Sequence, residues 1–166
     1  MRVSLLLALV AASLVAAQRQ NTQWCKIPFP HGQSIDLTKI LPARYNATMV
    51  GVSGVTPVAV NFGWCWTVNS TTCNTTVNQA MYITSTSPAL SPCTSSFGAF
   101  LGPIQNTTAS SVTFQIWDTQ AGATHTVNVL CDPSGANGTA TLVGQIVNTP
   151  VWQYTSTWTS VHACVQ

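Results

Sequence analysis

The chain has 166 residues, of which only 5 are Lys or Arg and 3 are Asp or Glu, and its formal net charge is +2. This length fits one domain with its own hydrophobic core. Because so few basic side chains cannot form a patch that neutralises phosphates, the composition excludes nucleic acid as a partner.

Residues 1–17 have the pattern of a secretory signal peptide. Arg2 supplies a positive charge, residues 5–15 form a short apolar run, and small residues precede Gln18. The run is shorter than the roughly 20 residues that a membrane-spanning helix needs. We therefore expect cleavage after Ala17 and a single domain, residues 18–166, with no transmembrane anchor. The expected location is extracellular or in the endolysosomal lumen.

The rest of the chain shows an alternation of apolar and polar residues that is typical of β-strands with one buried face. The pattern starts at Val58 and continues to residue 68, and it recurs over residues 112–117, 127–131 and 152–158. Clusters rich in Pro, Gly, Asn and Ser separate these runs. Short strands with this spacing predict an all-β fold, namely an antiparallel β-sandwich or flattened barrel.

Six cysteines follow the signal segment, and an even number in an oxidising compartment predicts three disulfides. They are Cys25, Cys65, Cys73, Cys93, Cys131 and Cys164. Spacing alone does not choose among the possible pairings. A zinc site is the competing interpretation, but the chain has neither a C-x-x-C nor an H-x-x-x-H pair. We therefore expect no metal and no cofactor.

The sequence also contains N-glycosylation sequons, in which Asn is followed two residues later by Ser or Thr. They begin at Asn46, Asn69, Asn74, Asn106 and Asn137. Together with the signal peptide they predict a glycoprotein, in which attached glycans supply the hydrophilic surface that so few charges do not.

The side chains give little support for an enzyme. A glycosidase uses two paired carboxylates, whereas this chain has no Glu, and only Asp118 and Asp132 could pair. Both stand beside turn-forming residues, which explains them without catalysis. Residues 51–55 lack the final glycine of a nucleophile elbow. His125 and His162 are candidate bases, but surface or network positions are the more common role, so we expect no enzymatic activity.

The tryptophans are candidates either for core packing or for sugar-binding platforms. Exposed aromatic rings stack on sugars, whereas buried ones fill cores. The alternation places Trp64 and Trp66 on the apolar face of their predicted strand. Trp24, Trp117 and Trp152 are less constrained, and we expect at most two platform residues.

The C-terminal segment has a distinctive spacing, because Tyr154, Trp158, Ala163 and Cys164 stand at offsets of zero, four, nine and ten. Further pieces of the same pattern are, in chain order, Cys25 with Gly32 and Asp36-Leu37-Thr38, residues 62–65, Cys73 with residues 93–98, and residues 124–131. Over nearly the whole predicted mature chain, this order resembles the mannose 6-phosphate receptor homology (MRH) domain. That family has a lumenal β-fold and often binds phosphomannose or N-glycans.

The resemblance implies a disulfide pattern. It pairs Cys25 with Cys65, Cys73 with Cys93, and Cys131 with Cys164. A further bridge that is common in the family has no counterpart, because both of its cysteines are absent and Trp152 stands at one of the positions.

The resemblance also implies where a sugar would bind. Family members that bind phosphomannose or mannose use a Gln, an Arg, a Glu and a Tyr around one sugar. The arginine donates a fork of hydrogen bonds, and the glutamate accepts hydrogen bonds from a pair of sugar hydroxyl groups. The tyrosine matches Tyr154, but the arginine position falls on Thr124 and the glutamate position on Gly144. The glutamine position falls on Thr94, with Gln79 nearby. The candidate carbohydrate-binding residues are thus Tyr154, Gln79 and Thr124, without a standard mannose 6-phosphate site.

Three functions remain. The first is a secreted or endolysosomal MRH-like glycoprotein module that binds glycans or glycoproteins. The alternative is a structural or cell-surface matrix glycoprotein with no carbohydrate ligand, and an inhibitor-like or enzyme-associated domain is a third option. Only the binding function predicts a concave site near Tyr154 and Thr124 with free polar groups. A flat surface there would favour the structural role.

Overall fold

The computed structural model describes residues 25–66, 68–70, 75–86, 93–98, 105–118, 122–135, 138–150 and 152–166. The predicted signal peptide, Trp24, Cys73, Asn74 and Asn137 lie outside the described residues.

The described residues form twelve strands and no α-helix, so the predicted all-β fold is confirmed. The strands are β1 (Lys26–Pro28), β2 (Ser34–Asp36), β3 (Ala43–Gly51), β4 (Gly54–Phe62), β5 (Val68–Ser70), β6 (Thr75–Ser85), β7 (Cys93–Gly98), β8 (Asn106–Thr108), β9 (Ser111–Asp118), β10 (Ala123–Cys131), β11 (Thr141–Asn148) and β12 (Gln153–Ser160). Short 3-10 turns occur at Pro30–Gly32, Leu37–Lys39 and Val161–Ala163. No helix in this part of the chain has the length and apolar character needed to cross a membrane.

Ten of the described strands belong to one sheet that curls into a half-barrel. Along the sheet the order is β5-β6-β4-β3-β11-β12-β10-β9-β8, and β7 pairs with β6 off this path. The curl places β7 over the inner face of β10 and β12. There the centroid of the Phe97 ring lies 5.2 Å from the centroids of the His125 and Tyr154 rings. Strands β1 and β2 form a separate pair.

The sheet is mixed: most neighbouring strands are antiparallel, as predicted, and two pairs are parallel. Strand β12 inserts between β10 and β11, running parallel to β10 and antiparallel to β11. Strands β11 and β3 are also parallel. Parallel neighbours need a long crossover, and residues 132–152, which include β11, provide one between β10 and β12. Such a pairing leaves no local signal in the sequence.

The predicted strand over residues 58–68 is interrupted after Phe62. The alternation is correct up to that point, since Val58, Val60 and Phe62 are buried. The Gly63 nitrogen still donates to the Ala80 carbonyl of β6. The chain then turns, and the Trp66 nitrogen donates to the Gly63 carbonyl. A β-carbon at Gly63 would lie 2.9 Å from a Val68 methyl group, so this turn has no room for a side chain.

The centre of the core is an aromatic cluster around Trp158. Its ring is fully buried and lies 4.7 Å from Phe62, 5.3 Å from Trp64 and 5.6 Å from Tyr45, centroid to centroid. Phe114 extends the cluster through an edge contact with Trp64. Edge and tilted geometries of this kind add stability beyond the apolar area that they bury.

Two disulfides join the two ends of the described chain to this core. The structure pairs Cys25 with Cys65 and Cys131 with Cys164, in agreement with the pairings that the family resemblance implies. Cys93 is also disulfide-bonded. Each bridge typically contributes about 2–4 kcal/mol.

Trp158→Ala should lower the free energy of unfolding by about 3–5 kcal/mol, because it removes the ring at the centre of the aromatic cluster. Trp152→Ala is the matched control: that side chain is 52% exposed, so its loss should change stability by less than about 0.5 kcal/mol. Urea unfolding followed by circular dichroism measures both, with Trp158→Phe as the milder variant if the alanine protein does not fold. Equal losses for Trp158→Ala and Trp152→Ala would contradict this packing.

Candidate functional site

The outer face of β9, β10 and β12 carries a ladder of uncharged polar side chains. Along each strand alternate residues are buried, which leaves the intervening ones facing outward. The register then forms rows across the sheet: Trp117, Thr124 and Gln153 in one row, and Gln115, Thr126 and Thr155 in the next. Since cross-strand partners point to the same side of a sheet, these rows form one continuous surface.

A pocket of about 240 Å³ opens on this surface at the end where β12 begins. Its lining residues are Gln115, Trp117, Thr124, Thr126, Thr149, Gln153, Tyr154 and Thr155. None of them carries a formal charge. The pocket is therefore a neutral polar site with one tryptophan, Trp117, in its lining.

The Trp117 ring is exposed while its backbone is held firmly. The side chain is 46% exposed, although it stands next to the buried residues Ile116 and Asp118 in β9. Its backbone pairs with Thr124 of β10 on one side. On the inner side β7 packs closely, because a β-carbon on Gly98 would lie 3.3 Å from the Trp117 carbonyl oxygen. The sheet thus presents a large aromatic face to solvent at a fixed position.

Some polar groups of the face are paired and others are free. The Gln115 amide nitrogen donates to the Thr126 hydroxyl at 3.1 Å, and the Thr113 hydroxyl donates to the Asn128 amide oxygen at 2.9 Å. These bonds lock the face along β9 and β10. By contrast, the side chains of Thr124 and Gln153 have no hydrogen-bond partner among the described residues, so they are available to a ligand.

Trp152 directly precedes the lining residue Gln153 and lies outside the strand in which the alternation placed it. Its φ is +69°, in the left-handed region that few residues other than glycine adopt. Its carbonyl oxygen accepts a hydrogen bond of 2.8 Å from the Thr124 nitrogen, and β12 starts one residue later at Gln153. The unusual conformation lets the chain enter β12 while the ring remains 52% exposed.

Tyr154, the candidate sugar ligand, directs its hydroxyl group into the core. The side chain is 3% exposed, and its hydroxyl oxygen lies 2.6 Å from the Ser95 hydroxyl. The ring makes an edge contact with Phe97 and stacks beside His125. Tyr154 therefore contributes to the pocket wall from beneath, and its hydroxyl already has a partner.

The other positions suggested by the resemblance are dispersed. Thr124 lines the pocket, whereas Gln79 lies in β6, opposite Gly98 of β7, and is not part of the lining. Its side-chain oxygen is buried and has no partner within the described part of the chain. Thr94 is exposed on β7, and Gly144 is exposed in the irregular stretch of β11. The structure thus brings Tyr154 and Thr124 together but leaves Gln79 apart.

His125 belongs to a buried polar network. Its Nε2 atom lies 2.7 Å from the Ser156 hydroxyl, which also accepts a hydrogen bond of 2.8 Å from the Trp158 indole. A serine beside a histidine has the composition of a nucleophile and its base. However, His125 is 0% and Ser156 2% exposed, so no substrate reaches them. The network joins His125 of β10 to Ser156 and Trp158 of β12 inside the core.

The two aspartates that a glycosidase would need are far apart. Asp118 ends β9 opposite Ala123, at the start of β10, and Asp132 follows the end of β10. A nine-residue strand separates them, which is about 30 Å. The Asp132 carboxylate instead accepts hydrogen bonds from the Ser134 nitrogen and hydroxyl, as its predicted turn role requires. Among the described residues, no three His, Cys, Asp or Glu side chains cluster as a metal site.

Two of the predicted glycosylation positions can be placed on the surface. Asn46 in β3 and Asn106 in β8 are both exposed. Asn106 pairs with Thr113 of β9, so it lies on the same outer face as the pocket. Asn69 lies in β5.

In comparisons with known proteins, no protein-family model and no curated protein matches the chain.

The pocket lies where the binding function predicts a concave site, near Tyr154 and Thr124, but most of its lining was not predicted. The family resemblance indicates Tyr154 and Thr124, and Trp117 stands among the unassigned tryptophans. The signal that marks Trp117 is its odd position after Val112, Phe114 and Ile116, which places it on the polar side of β9. Gln115 and Gln153 gave no signal, because their proximity depends on the pairing of β12 with β10.

The stability of the protein should fall on acidification because of His125. Burial lowers the pKa of this histidine from 6.5 to about 3. Between these values the unfolded chain binds more protons than the folded one, so stability decreases as the pH drops below 6.5 and levels off near pH 3. The expected loss from this one group is about 2 kcal/mol at pH 5 and about 4 kcal/mol at pH 3.

Urea unfolding at pH 7 and pH 5 measures this effect. His125→Gln removes the titrating group and should flatten the pH dependence, whereas His31→Gln changes an exposed histidine and should leave it as in the unmodified protein. An unaltered pH dependence in His125→Gln would show that other groups are responsible.

Proposed function

We propose that this protein is a secreted or endolysosomal MRH-like glycoprotein module that binds glycans or glycoproteins through a neutral site. The observation that carries the proposal is the concave pocket beside Thr124 and Tyr154, which combines free polar groups with the exposed Trp117 ring. Protein sites for sugars need such convergent donors and acceptors around an apolar surface. The alternative, a structural glycoprotein, predicts a flat surface at this place.

The family assignment within the proposal has indirect support. The described chain is all-β, and two of its disulfides have the pairings that the resemblance implies. Disulfides of this kind form in oxidising compartments, which agrees with a secretory route. The exposed positions of Asn46 and Asn106 make these sequons accessible for glycosylation.

The pocket lacks the charges that a phosphomannose site uses. Thr124 occupies the position of the family's arginine. Gly144, at the position of its glutamate, has a φ of +77°, which disfavours residues with a side chain. With neither a cation for the phosphate nor an acid for paired hydroxyls, the site favours uncharged ligands.

A glycan array probed with the secreted, glycosylated mature protein tests the proposal directly. Binding to a defined set of glycans would support it. If the folded protein binds no glycan on the array and no glycoprotein in a serum-glycoprotein overlay, the structural alternative replaces it.

Mannose 6-phosphate should bind no more tightly than mannose. Losing a charged hydrogen-bonding partner in a desolvated site costs about 2–5 kcal/mol, and here both the cation and the acid are missing. Calorimetry with the two sugars measures the difference. Micromolar, phosphate-dependent binding that is abolished by Tyr154→Phe would contradict the prediction.

Thr124→Arg serves as the positive control in the same experiment. It returns a cation to the pocket and should make mannose 6-phosphate bind more tightly than mannose, with an affinity that decreases as salt is added.

A further inference from the structure

We propose that the pocket binds one uncharged hexopyranose ring at the non-reducing end of a glycan, with the Trp117 indole as its stacking platform. This inference rests on the proposed function and specifies its ligand class and its contacts.

The size of the pocket indicates a single sugar ring. Its volume of about 240 Å³ is below the roughly 300–1,000 Å³ of pockets that enclose drug-sized ligands. The lining extends from Gln115 and Trp117 on β9 to Gln153 on β12, across two strand spacings or about 10 Å. A ring at the end of a glycan enters such a pocket, while the rest of the glycan continues into solvent.

The chemistry of the lining matches both sides of a pyranose. One face of such a ring presents C–H groups, which pack on an aromatic surface such as the exposed indole of Trp117. The hydroxyl groups around the rim both donate and accept hydrogen bonds. Amide and hydroxyl side chains also do both, and those of Thr124 and Gln153 are free in the described structure.

The absence of charge in the lining selects against acidic sugars. A carboxylate, phosphate or sulfate that enters the pocket loses water without gaining a cation, because no lining residue is basic. Asp118, the charged residue next to Trp117 in sequence, is buried on the other side of β9. Neutral hexoses therefore bind in preference to uronic acids, sialic acids and phosphorylated sugars.

The backbone that carries the platform is held in place before the ligand arrives, which reduces the entropic cost of binding. Trp117 is fixed between β10 and the closely packed Gly98 of β7. Next to the lining residue Gln153, Trp152 has a left-handed backbone conformation, and its carbonyl oxygen accepts a hydrogen bond from the Thr124 nitrogen. Backbone strain of this kind persists where the surroundings enforce it and is common at ligand sites.

The experiment compares Trp117→Ala with Leu130→Ala. Leu130 is the matched control, because it is an exposed apolar residue on the same face of β10, six residues or about 20 Å from Thr124. Binding of the best neutral glycan from the array is measured by calorimetry, and methyl hexosides, glucuronic acid and mannose 6-phosphate serve as single-ring probes by saturation-transfer NMR. Thermal unfolding confirms that both variants are folded.

We expect Trp117→Ala to weaken binding about tenfold or more, Trp117→Phe to restore part of it, and Leu130→Ala to have no effect. Methyl hexosides should show saturation transfer, and the two acidic sugars should not. If Trp117→Ala binds the array glycan as tightly as the unmodified protein, the platform is wrong although the proposed function stands. If acidic sugars bind better than neutral ones, the ligand class is wrong. If the unmodified protein binds no glycan, the proposed function itself fails.

Discussion

Strand β12 pairs in parallel with β10 from Gln153 to Ser160, and this register assigns the side chains of one strand to two environments. The inward residues, among them Tyr154, Ser156 and Trp158, fill the core and its polar network. The outward ones begin with Gln153 and Thr155 at the pocket. A slip of one residue would exchange the two sets, so the aromatic core and the neutral pocket depend on the same pairing.

Charged side chains play a minor part in this molecule, since they make up only 5% of its residues. Its stability comes from aromatic packing around Trp158 and from disulfides that join each end of the described chain to the sheet. The same scarcity of charge leaves the outer face of β9, β10 and β12 neutral, and no residue that lines its pocket carries a formal charge. A surface of Thr, Gln and Trp favours ligands through hydrogen bonds and stacking, whose strength depends little on salt.

The parts of the fold that follow from local alternation were predictable. Val112, Phe114 and Ile116 are buried as their spacing predicts, and so are Val127 and Val129. These positions need no knowledge of which strands are neighbours.

The remaining features depend on contacts between distant residues. The break after Phe62 reflects the close approach of Val68 to Gly63 and the bridge from Cys25 to Cys65, 40 residues away in sequence. The Tyr154 hydroxyl meets Ser95, a residue 59 positions earlier. The pocket likewise requires the parallel pairing of β12 with β10, which no local pattern specifies. The family resemblance led to Thr124 but could not indicate Gln115, Trp117 or Gln153 beside it.

The pairing of Asn106 with Thr113 has a consequence for how the molecule is prepared. Thr113 and Trp117 lie on the same side of β9, four residues or about 13 Å apart. An oligosaccharide attached to Asn106 would therefore start on the same surface as the pocket, near enough for its outer branches to compete with an external ligand. Protein from bacterial cells, which lacks this modification, and protein from a glycosylating host would then differ in ligand access although their folds are identical.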